Sequence, residues 1–207
     1  MIIIGLTGSV GTGKSETSKF FLRKNIPVFD CDQKIADLLK RVKVKKNIKR
    51  EIPEAFSGNI LDKTKLAKIV FREEKKLKFL EQILYKSLKK FQAKWLRNNL
   101  SLRKHLVVID VPLLFEKDIL EKYDIIIVTS CSNFIQKVRV LKRENWNKER
   151  LNITLKKQLE DKRKKEMADI VIHTDRGKRH VFCLVSKLLK QINTVNKRPI
   201  KEILKLF

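Results

Sequence analysis

Gly8-Ser9-Val10-Gly11-Thr12-Gly13-Lys14-Ser15 decides how this chain folds. The octapeptide fits G-x-x-x-x-G-K-S/T, in which glycines let the backbone wrap a polyphosphate so that successive N–H groups point inward. The lysine reaches the β- and γ-phosphates, the serine hydroxyl holds Mg²⁺, and the helix that starts here adds its positive end. In a chain this long a chance match arises on the order of once in a hundred sequences. Context makes chance rarer still. The chain has 6 glycines, and Gly5, Gly8, Gly11 and Gly13 are gathered here. Ile2-Ile3-Ile4-Gly5-Leu6-Thr7, just before, is an apolar β-branched run that reads as a buried strand. Lys14 to Lys24, just after, reads as a helix with Phe20 and Phe21 on its apolar side. The expected nucleotide contacts are Gly8, Gly11, Thr12, Gly13, Lys14, Ser15 and Glu16, with Ser15 on the metal.

Further strands follow at Ile26–Asp30, Leu106–Asp110, Ile125–Thr129 and, more weakly, Ile170–Ile172. Short apolar strands alternating with helical patterns predict an α/β fold: a five-stranded parallel sheet between helices, α/β/α, of the P-loop NTPase type. About 33–104 is too long for a loop between neighbouring strands. Leu77, Leu80, Ile83, Leu84, Leu88 and Phe91 recur there at helical spacing, so it reads as an inserted helical subdomain. A basic helical segment, about 134–165, precedes the last strand. The core is then about 1–32, 105–133 and 166–193, all within one domain of 1–207. No role is assigned to the basic tail, Thr194 to Phe207.

The later strands narrow the chemistry. A GTPase would carry Asn-Lys-x-Asp, but neither Asn147-Lys148 nor Asn196-Lys197 continues to Asp. Hydrolytic ATPases end the corresponding strand in Asp-Glu, the Glu activating water, whereas Asp110 is followed by Val111 and Pro112. Transfer to a bound hydroxyl is the better reading. Ligands of open parallel sheets bind at the carboxyl ends of strands, which is where Asp30-Cys31-Asp32 lies. Asp32 is expected to face the loop, accept the proton of an acceptor hydroxyl and aim it at the γ-phosphate. The alternative is a helix N-cap, a role that suits Asp30 better.

Gly5-Leu6-Thr7-Gly8 with the loop, Asp30-Cys31-Asp32, and Asp110-Val111-Pro112-Leu113-Leu114-Phe115-Glu116 together resemble the dephospho-CoA kinase family. Similar stretches run from about Ile2 to Ile172. They include Ile60-Leu61-Asp62, Gln136 with Arg139 and Arg143, and Gln158 with Lys164, Ala168 and Asp169. The resemblance implies ATP-dependent, Mg²⁺-assisted phosphorylation of the ribose 3′-hydroxyl of dephospho-CoA, the last step of coenzyme A synthesis. It implies a helical CoA-binding subdomain and a helical lid. Asp32 would be the base, and Arg143 with Arg139 would meet the transferring phosphate, where a planar guanidinium fork suits phosphate oxygens. A solvated helix face is the other reading of the two arginines. Asp110 would hold Mg²⁺ through water, and Pro112, Leu113, Leu114 and Phe115 would shape the acceptor pocket unless they are plain core. Tyr85-Lys86 stands where the family has His-Pro, so Tyr85 is the candidate hydrogen-bond donor to the acceptor. Glu16 replaces a threonine, Thr174-Asp175-Arg176-Gly177 departs from an Asn-small-Gly loop that contacts adenine, and Lys40 to Lys49 is short and basic in place of a longer loop.

Composition fits a basic protein with a real core. Lys+Arg 49 against Asp+Glu 23 gives +26, and 43% of residues are hydrophobic. The charge favours anionic partners, but the basic residues form no stripe interleaved with aromatics. A genome-wide lysine bias is therefore the better reading, and no specific nucleic-acid partner is expected. Cys31, Cys131 and Cys183 lack metal-ligand spacing and read as reduced thiols. No secretory signal or membrane span is expected, which points to a soluble cytoplasmic protein. The family resemblance implies ATP and dephospho-CoA as partners, and a monomer is expected, with an oligomer as the alternative.

Overall fold

The computed structural model describes residues 1–116 and 119–192; the tail Thr194 to Phe207 lies outside the described residues. Along the chain, β1 (Ile2–Gly8) leads through the glycine loop into α1 (Lys14–Arg23) and β2 (Val28–Asp30). Then come α2 (Cys31–Leu38), α3 (Val42–Glu51), the hairpin strands β3 (Phe56–Ser57) and β4 (Ile60–Leu61), α4 (Lys63–Arg72) and α5 (Glu74–Ser101). β5 (Leu106–Asp110), β6 (Ile125–Ser130), α6 (Asn133–Leu141), α7 (Lys148–Lys156), α8 (Asp161–Glu166), β7 (Ile170–His173) and α9 (Lys178–Ile192) follow.

The main sheet has five parallel strands in the order β2-β5-β1-β6-β7. The chain leaves β1 toward one edge, at β2, and later passes from β5 to β6 on the other side. Such a reversal opens a crevice at the carboxyl ends of the strands. The register sets Asp30 opposite Asp110 and Gly8 opposite Thr129, so these strand ends share one rim.

Strand alternation explains the core. Ile2, Ile4 and Leu6 of β1 join Val108, Ile127 and Ile172 on one face, under Phe20 and Phe21 of α1 and Val181, Val185, Leu188 and Ile192 of α9. The α9 spacing is that of one helical face. Phe20 and Phe182 meet edge to face with centroids 5.6 Å apart, worth about 0.5–1.5 kcal/mol beyond burial. On the opposite face Ile3, Val107 and Ile109 are fully buried. Gly5 is there because a Cβ would lie 2.7 Å from Leu114 and 2.8 Å from Tyr123.

By contacts the chain divides into two compact units, Met1–Asp30 with the chain from Leu96 on, and Cys31–Trp95. The second unit begins two residues earlier and ends sooner than the expected 33–104, because the last turns of α5 belong to the first. It is helical, but also holds the β3–β4 hairpin, turned at Gly58 with φ +63°. Asp62 caps α4 by accepting from Thr64 N at 2.8 Å and Lys65 N at 3.1 Å. The Lys65 N–H, above all, holds its carboxyl below the ordinary range. The basic stretch Lys40 to Lys49 is not a loop: most of it is α3, whose Val44 and Ile48 are buried. Among the described residues no helix is long and apolar enough to cross a membrane.

Candidate active site

The glycine loop is held from inside and from behind. Thr12 N donates to Ser9 O at 3.2 Å and Thr12 Oγ1 to the same oxygen at 2.8 Å. Thr12 Oγ1 also meets Thr129 Oγ1 on β6 at 2.9 Å. Gly11 has φ +82°, and a Cβ there would lie 2.5 Å from Val140 on α6, so only glycine fits both the turn and the helix behind it. Gln136 of α6 donates to Val10 O at 2.7 Å, and Val10 N donates to Gln158 Oε1 at 3.1 Å. Both polar groups of one loop peptide segment are thus fastened to the segment that leads from β6 to β7.

Behind the loop sits Asp110, buried at the end of β5. Its Oδ1 is ion-paired with Lys14, and Ser18 Oγ donates to Oδ2 at 2.5 Å. Sequence reading missed Ser18; its one signal was its place one turn after Lys14 on α1. Ser15 is exposed in the first turn of α1. Hydroxyl and carboxylate oxygens are the hard donors that Mg²⁺ takes, alongside phosphate oxygens and water. With both Asp110 oxygens engaged by protein, contact through water fits better than direct ligation.

On the outer side of the loop lies a cavity of about 240 Å³, lined by Gly11, Gly13, Glu16, Thr17, Phe20, Arg139, Arg143, Thr174, Gly177, Lys178 and Val181. Thr174 organises it. Its hydroxyl donates to Thr12 O at 2.8 Å and accepts from Arg139 Nη1 at 2.7 Å, while Arg139 Nη2 donates to Thr174 O at 2.8 Å. Arg139 is therefore anchored, its plane on the cavity wall. Arg143 lies two residues past the end of α6 and is exposed. The pair therefore does not share a helix face, as the spacing had suggested. Glu16 is compensated by Lys178 at 3.5 Å and Lys19 at 3.8 Å. The Ser132 N–H, 2.7 Å from Asp175 Oδ1, holds that carboxyl below its ordinary range, with Arg139 adding to the effect. Burial pushes the Cys131 thiol up, so it stays a neutral thiol.

The first unit thus brings together the glycine loop, Lys14, Ser15, Asp110, Glu16, Arg139 and Arg143. Asp32 is exposed in the first turn of α2, and Tyr85 is 40% exposed on α5; both belong to the second unit. In the Asp110–Glu116 string, Pro112 and Leu113 are half-buried. Leu114 is fully buried against Gly5, as the core reading expects of it. Phe115 is buried as well, at 8% exposure.

The family model described as dephospho-CoA kinase matches residues 2–179. A dephospho-CoA kinase of Bartonella quintana is 34% identical over 194 residues, covering 92% of this chain and 100% of the relative. One of Bradyrhizobium diazoefficiens is 32% identical over 192 residues, covering 93% and 96%. Among solved structures, TT1252 from Thermus thermophilus superposes with a TM-score of 0.82 at 26% identity, over 94% of this chain and 98% of that one. The dephospho-CoA kinase from Campylobacter jejuni superposes with a TM-score of 0.60 at 18% identity, covering 92% and 96%, a likeness of fold.

Proposed function

The chain belongs to the dephospho-CoA kinase family, and from that premise we propose how its residues move the γ-phosphoryl group of ATP to the ribose 3′-hydroxyl of dephospho-CoA. The products are coenzyme A and ADP, and the reaction is the final step of coenzyme A biosynthesis. The observation that carries the assignment is Asp110, whose two oxygens hold Lys14 and Ser18 at the head of the glycine loop.

Asp110 holds Lys14 at the head of the glycine loop. When ATP arrives, the loop N–H groups and Lys14 take its phosphates. Its base enters the cavity against Arg139, whose guanidinium plane, fixed by Thr174, offers a flat cationic face. Arg143, exposed at the cavity mouth, meets the oxygens of the transferring group, where the transition state spreads its charge. Asp32 takes the proton of the acceptor hydroxyl and orients it in line. Pro112 and Leu113 shape the acceptor side, and Tyr85 supplies a hydrogen bond where relatives use histidine. Ser15 and, through water, Asp110 would hold a Mg²⁺ ion, which would supply positive charge against the phosphates. Val111 after Asp110 leaves no carboxylate to activate water there, which favours transfer over hydrolysis.

All assigned residues come from one chain, so a monomer suffices. Reduced thiols, none of them in a disulfide, suit the cytoplasm. The test is ADP release from ATP and Mg²⁺ with dephospho-CoA, with a panel of nucleoside monophosphates and shikimate, or with no acceptor. Release is expected with dephospho-CoA alone. Turnover with a monophosphate and none with dephospho-CoA would overturn the assignment.

A further inference from the structure

The transfer step makes no use of Glu116 or Lys164, yet the two form a buried ion pair. Lys164, on α8, has no exposed side-chain surface, and Glu116, at the end of the Asp110–Glu116 string, exposes 16%. Lys164 Nζ lies 3.0 Å from Glu116 Oε1, and the same oxygen accepts from Leu159 N at 2.8 Å. The ammonium contact is one of charge: Lys164 Nζ makes no directed hydrogen bond.

Stability does not account for such a pair. Removing two charges from water costs about what their attraction returns, and apolar residues of the same volume often fold as well or better. Position does account for it. The residue next to Leu159 is Gln158, which accepts from Val10 N at 3.1 Å in the glycine loop. Three segments therefore meet here: the string after β5, the link between α7 and α8, and the phosphate loop.

We propose that the buried Glu116–Lys164 pair is a positioning device, which fixes Leu159 and so presents Gln158 to Val10, holding the phosphate loop in the shape that receives the nucleotide. The carboxylate also ends the string assigned to the acceptor side. One tie then sets donor and acceptor sides against each other, a consequence that rests on the reaction proposed above.

Two double variants and one single variant test it. Glu116→Leu with Lys164→Met removes the charges and the acceptor for Leu159 N; Glu116→Gln with Lys164→Met keeps an acceptor oxygen. Gln158→Leu cuts only the last link. Both double variants should keep the wild-type thermal midpoint or exceed it. In Leu/Met, amide exchange at Val10 and Leu159 should speed up about tenfold or more, with sheet amides such as Val108 unchanged. Its kcat should fall about ten- to hundredfold, and Gln/Met should recover most of the loss. Gln158→Leu should speed Val10 exchange and leave Leu159 protected. Unchanged Val10 exchange in folded Leu/Met overturns the proposal. If Leu/Met fails to fold, unchanged Val10 exchange in Gln158→Leu overturns it instead. The exchange measurement needs no substrate, so inactivity of the wild-type protein on dephospho-CoA would overturn the assigned reaction and leave this test standing.

Discussion

Asp32→Asn is expected to lower kcat about 10²–10⁴-fold, the usual contribution of a positioned general base, while ATP affinity should change by no more than about threefold. The substitution keeps size and shape, exchanges one acceptor oxygen for an NH₂ donor and removes the charge that accepts the proton. Asp32 sits in the first turn of α2, just after the strand end where Asp30 pairs in register with Asp110. A carboxylate at that place serves either the reaction or the helix end, where negative charge is also favoured. Kinetics and stability separate the two roles. A base gives a large loss of kcat with an unchanged thermal midpoint. A helix-end role gives a lower midpoint, with turnover of bound substrate retained.

Lys14→Met should lower kcat/KM about 10²–10³-fold or more, since it removes a fixed positive charge aimed at phosphates. It also weakens the fold. Lys14 pairs with Asp110, whose side chain is only 2% exposed, and an abandoned buried carboxylate costs about 3–5 kcal/mol. Ser18 still donates to Oδ2 and moderates that cost. Adding Asp110→Asn removes the stranded charge. The double variant should regain most of the stability, read as the urea midpoint, and none of the activity. If turnover returns with stability, Lys14 serves folding alone.

The sheet was open to reading because its strands are short and almost wholly apolar, and Gly8 to Ser15 stood out because glycine is scarce elsewhere. Within the insert read as helical, the bounds of α3 were not legible. Its lysines occupy the solvent face and mask Val44 and Ile48, the buried pair that makes the stretch amphipathic. The hairpin at Phe56–Leu61 is built of two-residue strands, too short to show alternation. Leu114 could not be told from a pocket residue by a string of apolar letters; only the missing Cβ of Gly5 shows what it fills. Thr174 looked like mere departure from a pattern. Its role depends on Thr12, 162 positions away, and on an arginine of α6. Local spacing cannot show such partners. The same holds for Glu116 and Lys164, both visible as family-like letters and neither as a pair.

The most direct test is the structure of the product. The protein is incubated with ATP, Mg²⁺ and dephospho-CoA, and the product is examined by mass spectrometry and by phosphorus and proton NMR. The expected product carries one added phosphoryl group, on the ribose 3′-oxygen, with one ADP formed for each. Phosphate on another oxygen, or ADP formed with inorganic phosphate and unchanged dephospho-CoA, would contradict transfer to that hydroxyl.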